Sequence, residues 1–306
     1  METKTKTKVL TNGNGTEDKK SSNRIPVLKT YKLYIGGKFP RTESGRYYKL
    51  KQKNGEVVSI CQSSRKDFRN AVVAARAAQA GWASKSALLR SQILYRMAEM
   101  LETRSAQFIY ELEQMGSSSE EARKEMETAV DRLIYYAGWC DKYTQLFSSV
   151  NPVASSHFNF SSMEPMGVIA AICDDDSGLL GLVSVIAPII ASGNSIVLLS
   201  SEHKPLSAIT LAEVINDSDL PGGVVNILTG SVKELLEHFA SHMDVNALYL
   251  NTPNKDFQKT AEQLSALNVK RCKCDENISW FDAAEENPYR ILDFTEVKTT
   301  WHPIGI

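Results

Sequence analysis

Cysteine is scarce in this sequence. There are five in 306 residues, an odd number without the dense spacing of a disulfide-stapled domain. Reduced thiols and a cytoplasmic setting are therefore expected. Excess charge of one sign is also lacking: 35 Lys and Arg against 36 Asp and Glu leave a net charge of -1. That excludes a general attraction to nucleic acid or to an anionic membrane. No apolar run reaches about 18 residues without polar interruption, so no bilayer-spanning helix is expected. Met1 to Arg24 has no apolar signal core. It is rich in Lys, Thr, Asn, Gly and Ser, and residues 1–28 are expected to form a disordered tail. What is present is 42% hydrophobic residues, enough at this length for the core of one or two domains.

The most informative stretch is 164–230. Met166 to Cys173 is a nearly continuous apolar run, the pattern of a strand buried on both faces. Leu179 to Ser192 reads as a buried helix, with Gly193 at the position of a helix C-terminal glycine. Ser195 to Leu199 is a second strand, Pro205 to Asn216 a helix with proline in its first turn, and Val224 to Leu228 a third strand. Ser231-Val-Lys-Glu234 resembles a capping box opening another helix. Ala247 to Leu250 is a fourth strand, and Thr252-Pro253 suits an N-cap followed by the first residue of a fourth helix. Strand alternating with helix at this spacing predicts crossover units and a parallel, doubly wound α/β sheet. Such sheets bind ligands beyond the carboxyl ends of their strands.

Upstream, Tyr31 to Phe39 reads as strand, glycine turn and strand, and Val57 to Cys61 as a short strand. Three or four helices are expected over 66–146, with apolar stripes such as Leu89, Ile93, Met97 and Met100. Residues 147–163 suggest a hairpin leaving the body. Residues 264–291 are polar and expected to be irregular, and Ile291 to Trp301 alternates as a last strand.

Glu164-Pro-Met-Gly-Val-Ile, Ile186-Ala-Pro188, Ala191-Ser-Gly-Asn194, Ser201-Glu202, Pro205-Leu206, Leu220-Pro-Gly-Gly-Val-Val-Asn226 and Thr229-Gly230 together resemble the aldehyde dehydrogenase superfamily. Their spacing holds without a gap. The resemblance implies a Rossmann-like NAD domain, with Ser201, Glu202, Gly230 and Thr252 at cofactor-contacting positions. It divides the chain into N-terminal strands and helices of the cofactor domain (29–146), an oligomerisation hairpin (147–163), a Rossmann-like core (164–270), and a linker with a C-terminal oligomerisation strand (271–306).

The departures from the family are informative. Its oxyanion-stabilising asparagine falls on Asp176, and a carboxylate repels the charge an amide would stabilise. Its ribose-binding lysine falls on Leu199, while the ribose-binding glutamate is kept as Glu202. Its Phe-Thr-Gly-Ser turn falls on Tyr249-Leu-Asn-Thr252. There Thr252 offers a hydroxyl and a helix N-terminus to an anion, and Asn251 is expected to crowd the backbone approach. After Asn268-Val-Lys-Arg271 neither the glutamate–diglycine motif nor the cysteine-nucleophile motif follows. Yet Phe294-Thr-Glu-Val-Lys-Thr299 resembles the family's C-terminal strand. The pattern is closest to the degenerate C-terminal half of two-domain family-sixteen aldehyde dehydrogenases, with the catalytic domain absent.

Other features have a plain reading beside a chemical one. Asp174-Asp-Asp176 is a candidate cation site or a solvated loop whose last aspartate caps the following helix. Cys272 and Cys274 are a candidate nucleophile or metal pair, or free structural thiols. The single intervening residue is too close for the usual zinc spacing. His238 and His242 are a metal pair or a solvated helix face. Glu202 is a ribose-binding carboxylate or a surface glutamate. The expected function is a non-catalytic family member that pairs with a complete NAD-dependent aldehyde dehydrogenase or with itself, and NAD binding is weakened or lost. Residual NAD(P)-dependent aldehyde oxidation and an NAD-binding sensor are the alternatives. No metal site is expected.

Overall fold

The computed structural model describes residues 29–174, 176 and 178–305. The tail expected over 1–28 and the middle aspartate of the Asp174–Asp176 run lie outside the described residues. A hairpin of β1 (Tyr47–Lys51) and β2 (Val57–Cys61) leads into α1 (Arg65–Ala83), α2 (Ala87–Thr103), α3 (Ser105–Gln114), α4 (Ser119–Trp139) and α5 (Tyr143–Phe147). After β3 (Ser149–Asn151) and β4 (His157–Pro165) come β5 (Val168–Ile172), α6 (Leu180–Ala191), β6 (Ser195–Leu199), α7 (Leu206–Asp217), β7 (Val225–Leu228), α8 (Val232–Ser241), β8 (Ala247–Asn251), α9 (Lys255–Ala266) and β9 (Arg271–Asp275). The chain closes with α10 (Tyr289–Leu292) and β10 (Thr295–Pro303).

Strands β5 to β9 form one parallel sheet in the order β7-β6-β5-β8-β9. It is covered on both faces, as the continuous apolar runs required. Alternate residues serve opposite cores. Ile169, Ala171, Ile196 and Leu198 pack with α2, α4, α6 and α7 residues. Val168, Ala170, Val197 and Leu199 pack with α1 and α8 residues such as Phe68 and Phe239. Every residue of α6 is buried, and each of its large aliphatic side chains contributes about 1.5–3 kcal/mol by leaving water. Gly193 ends that helix at φ +94, a conformation that L side chains rarely adopt.

The structure departs from the sequence expectations at five places. Tyr31 to Phe39 forms isolated bridges, Tyr34 to Ile227 and Ile35 to Lys38, around a turn at Gly36 and Gly37; it does not form two strands. Ser231 makes no side-chain cap, and Glu234, whose side chain would supply the reciprocal half of the box, is paired with Arg46 at 2.7 Å. The N-cap of α9 is Asn254, not Thr252. Residues 271–275, expected to be irregular, are the outer strand β9. The N–H groups opening α6 are capped from α4, not by Asp176: Glu125 accepts from Leu179 and Leu180.

A second sheet, of three strands in the order β10-β4-β3, stands apart from the parallel one. β10 runs antiparallel to β4 from Thr295 opposite Pro165 to Pro303 opposite His157. The chain reaches it through 276–294, which packs on α4 and α6. Trp280, Ile291 and Phe294 are buried there, and Asn194 Nδ2 donates to the Phe294 carbonyl at 2.8 Å.

Candidate functional site

The sheet order reverses between β5 and β8: from β5 the chain steps outward to β6 and β7, then returns to β8 and β9. Such a switch point leaves a crevice at the strands' carboxyl ends. A cleft of about 390 Å³ lies there, lined by residues that include Cys173, Asp174, Asp176, Glu202, Lys233, Asn251, Thr252 and Phe257. Strand β5 delivers Cys173 and Asp174, the loop after β6 delivers Glu202, the start of α8 brings Lys233, and the end of β8 brings Asn251 and Thr252.

The structure therefore brings Asp176, Glu202 and Thr252 to one cleft. Ser201 and Gly230 are not among the residues that line it. Ser201 Oγ accepts from the backbone N–H groups of His203 at 3.1 Å and Lys204 at 2.9 Å, shaping the Glu202 loop from within. Gly230, at φ +142, lies so near the hairpin that a Cβ would come within 3.1 Å of the Ser63 nitrogen. Its role on this geometry is close packing of the β7–α8 turn.

The acidic corner is tied into the protein. Asp174 accepts from Asn251 Nδ2 and, at 3.3 Å, from Trp280 Nε1, and its other oxygen accepts the Asp176 N–H at 3.1 Å. Lys204 Nζ donates to the Asp176 carbonyl. This is an internally bonded loop with Asp176 exposed. Among the described residues no group of three or more His, Cys, Asp or Glu side chains is placed to hold a metal ion.

Cys173 is the one cysteine lining the cleft. Burial, and then the Asp174 charge, push its thiol well above the ordinary range, so it stays protonated and a poor nucleophile. An NAD molecule would meet a carboxylate and apolar walls in this cleft. Glu202 suits ribose hydroxyls, and Val232 and Phe257 give apolar walls. The first turn of α9, the anion-binding end expected from Thr252, is already occupied. Asn254 Oδ1 accepts from Asp256 N at 3.0 Å and Phe257 N at 3.2 Å.

Sequence reasoning missed Lys233, Asn251's bond to Asp174, and Trp280. Lys233 stands in the first turn of α8, inside the Ser231-Val-Lys-Glu234 stretch. The other two rest on contacts spanning 77 and 106 residues, which no local pattern carries.

A profile of the aldehyde dehydrogenase family matches residues 41–275. A protein of Bacillus subtilis (strain 168), described by name as an aldehyde dehydrogenase, DhaS, is 31% identical over 249 residues, covering 79% of this chain and 49% of its own. Omega-crystallin of Enteroctopus dofleini is 26% identical over 260 residues, covering 83% of this chain and 52% of its own. Among solved structures, an NAD+ complex of an aldehyde dehydrogenase from Bacillus cereus has a TM-score of 0.77 at 24% identity, over 81% of this chain and 51% of that one. PnpE in complex with nicotinamide adenine dinucleotide has a TM-score of 0.77 at 26% identity, over 80% and 50%. This chain thus spans about half the length of the relatives it matches, and it belongs to the aldehyde dehydrogenase family.

Proposed function

We propose that this chain is a non-catalytic pairing subunit for a complete NAD-dependent aldehyde dehydrogenase. The observation that carries the reading is the second sheet. β10 is paired with β4 along nine residues, yet its outer edge has no neighbour among the described residues. Val297 and Trp301 on β10 are 63% and 56% exposed. An open edge of this length, bearing large apolar side chains, invites pairing with another strand. The cleft supports the non-catalytic half of the reading. By the sequence resemblance a carboxylate, Asp176, falls at the family's oxyanion position, burial raises the pKa of the cleft thiol, and the family match stops at Asp275.

Co-expression with a complete aldehyde dehydrogenase, followed by sizing, tests the proposal. A mixed assembly that Trp301→Glu weakens is the expected result. A chain that always elutes alone, or only with itself, overturns the mixed pairing.

One observation favours a second reading, an NAD-binding sensor. The crevice at the switch point is open, and Glu202 lines it. Glu202→Ala should then abolish NAD binding measured by calorimetry; unchanged binding argues against this reading. Residual aldehyde oxidation has less support, since covalent catalysis of this kind needs an activated thiol and Cys173 is not one.

A further inference from the structure

Cys272 and Cys274 lie two residues apart on β9, so the strand's period of two places both on one face. That face packs against the core beneath α8 and α9, and both thiols are half-buried. Their Sγ atoms stand 3.8 Å apart. Two metal–sulfur bonds of about 2.3 Å meeting at a tetrahedral angle span about 3.8 Å. A disulfide would need its sulfurs at about 2.05 Å, and Cα atoms about 6.6 Å apart on an extended strand are at the long end of what it tolerates. The spacing therefore suits chelation better than cross-linking.

The surroundings point the same way. The two thiols are within hydrogen-bonding reach of each other. Glu262 on α9 is a nearby negative charge for both thiols and Asp275 for Cys274, while Lys270 is a nearby positive charge for Cys272. Ser265, on the same helix, is 1% exposed, and its hydroxyl has no oxygen or nitrogen partner. It lies beside Cys272. Two sulfurs on one face at this separation are the donor set that suits a soft cation.

We propose that Cys272 and Cys274 form a two-thiolate site for a soft divalent cation of the zinc and cadmium class, on the outer strand of the parallel sheet. No third His, Cys, Asp or Glu ligand joins them among the described residues, so water completes the coordination. Binding replaces two S–H bonds with two metal–sulfur bonds and releases two protons, with no change in oxidation state. The site is separate from the cleft at the switch point and independent of the pairing proposal.

Titrating the reduced, metal-free full chain with Cd²⁺ alone tests this. A sulfur-to-cadmium charge-transfer absorption saturating at one ion per chain is expected, with release of protons and displacement by Zn²⁺. Cys272→Ser and Cys274→Ser should each weaken binding at least tenfold. Cys61, Cys140 and Cys173 are buried and should leave that stoichiometry unchanged. Should the variants fail to fold, alkylation of the native chain, read by mass spectrometry, decides instead: Cd²⁺ should protect Cys272 and Cys274 together. No saturable absorption, binding that survives either serine substitution, or no protection from alkylation overturns the proposal.

Discussion

Oε1 of Glu125, in the middle of α4, accepts the backbone N–H groups of Leu179 at 2.7 Å and Leu180 at 3.0 Å. These are the donors that open α6, a helix with no side-chain cap of its own. One buried carboxylate thus satisfies two orphan donors and places negative charge at a helix N-terminus, where the dipole favours it. It also fixes the loop that carries the cleft's acidic corner.

Glu125→Ala should leave both donors buried without an acceptor. A loss of about 2–3 kcal/mol is expected, read as a lower urea midpoint at neutral pH. Glu125→Gln keeps an oxygen acceptor and should lose about 1 kcal/mol. Equal losses for the two would show that charge, rather than acceptor geometry, carries the effect.

Arg132 should hold the 276–294 segment in place. Its side chain is 2% exposed. Nη1 donates to Ser184 Oγ at 3.0 Å and the Glu285 carbonyl at 3.2 Å, Nη2 donates to the Trp280 carbonyl at 3.1 Å, and Glu286 lies 3.5 Å from Nε. Arg132→Met should raise amide hydrogen exchange over 278–292 at least tenfold, by about 1.4 kcal/mol or more of local stability. Exchange in β5 and β6 should change much less. Arg132→Lys should not restore protection, since an ammonium cannot reach three acceptors in a planar fork.

The elements that sequence made legible are those whose burial leaves a local trace. Strands β5 to β8 announce themselves as apolar runs because both faces are covered. β9 was hidden because Arg271-Cys-Lys-Cys-Asp275 has a neighbour on one side only and carries charges on its open face. The start of α9 is ambiguous in the sequence because Thr252-Pro253 and Asn254 compete for the cap, and asparagine is the stronger N-cap. Of the Ser231–Glu234 pattern, the glutamate side chain is taken by Arg46, 188 residues away, a contact no local pattern carries. In the cleft, Glu202 was readable from a motif. The bonds that Asp174 makes to Asn251 and Trp280 exist only after folding.

Lys270 should give the protein's stability a rise at alkaline pH. Its ammonium is 8% exposed as a residue and donates to the His242 carbonyl at 2.8 Å. Burial lowers its pKa from 10.5 to about 8. Between those two values the unfolded chain holds a proton that the folded chain has released, so stability increases with pH across that window. Below about pH 8 both states are charged, and the desolvation penalty is fully present. Lys270→Met removes this group's titration. The difference between native and variant unfolding free energies should therefore shift in favour of the native chain as pH rises from about 8 to 10.5, measured by urea unfolding at several pH values. A difference that stays constant with pH would exclude this linkage.

Asn254→Ala should separate the two possible fates of the cleft. The asparagine's side chain caps α9 by taking the N–H groups of Asp256 and Phe257, the same donors a phosphate at that helix end would use. Removing it should lower stability by about 1 kcal/mol, seen as a small drop in thermal midpoint. It should also free the first turn of α9 for an anion. If the side chain is what keeps a dinucleotide's phosphates out, calorimetry with NAD will show binding at least fivefold tighter in the variant than in the native chain, and Glu202→Ala added to Asn254→Ala will abolish it. Asp176→Asn should add to the gain by removing a carboxylate from the same wall. Affinity unchanged by either substitution would mean that the cap is not the barrier. The cleft would then serve only as the folded end of a sheet kept for pairing.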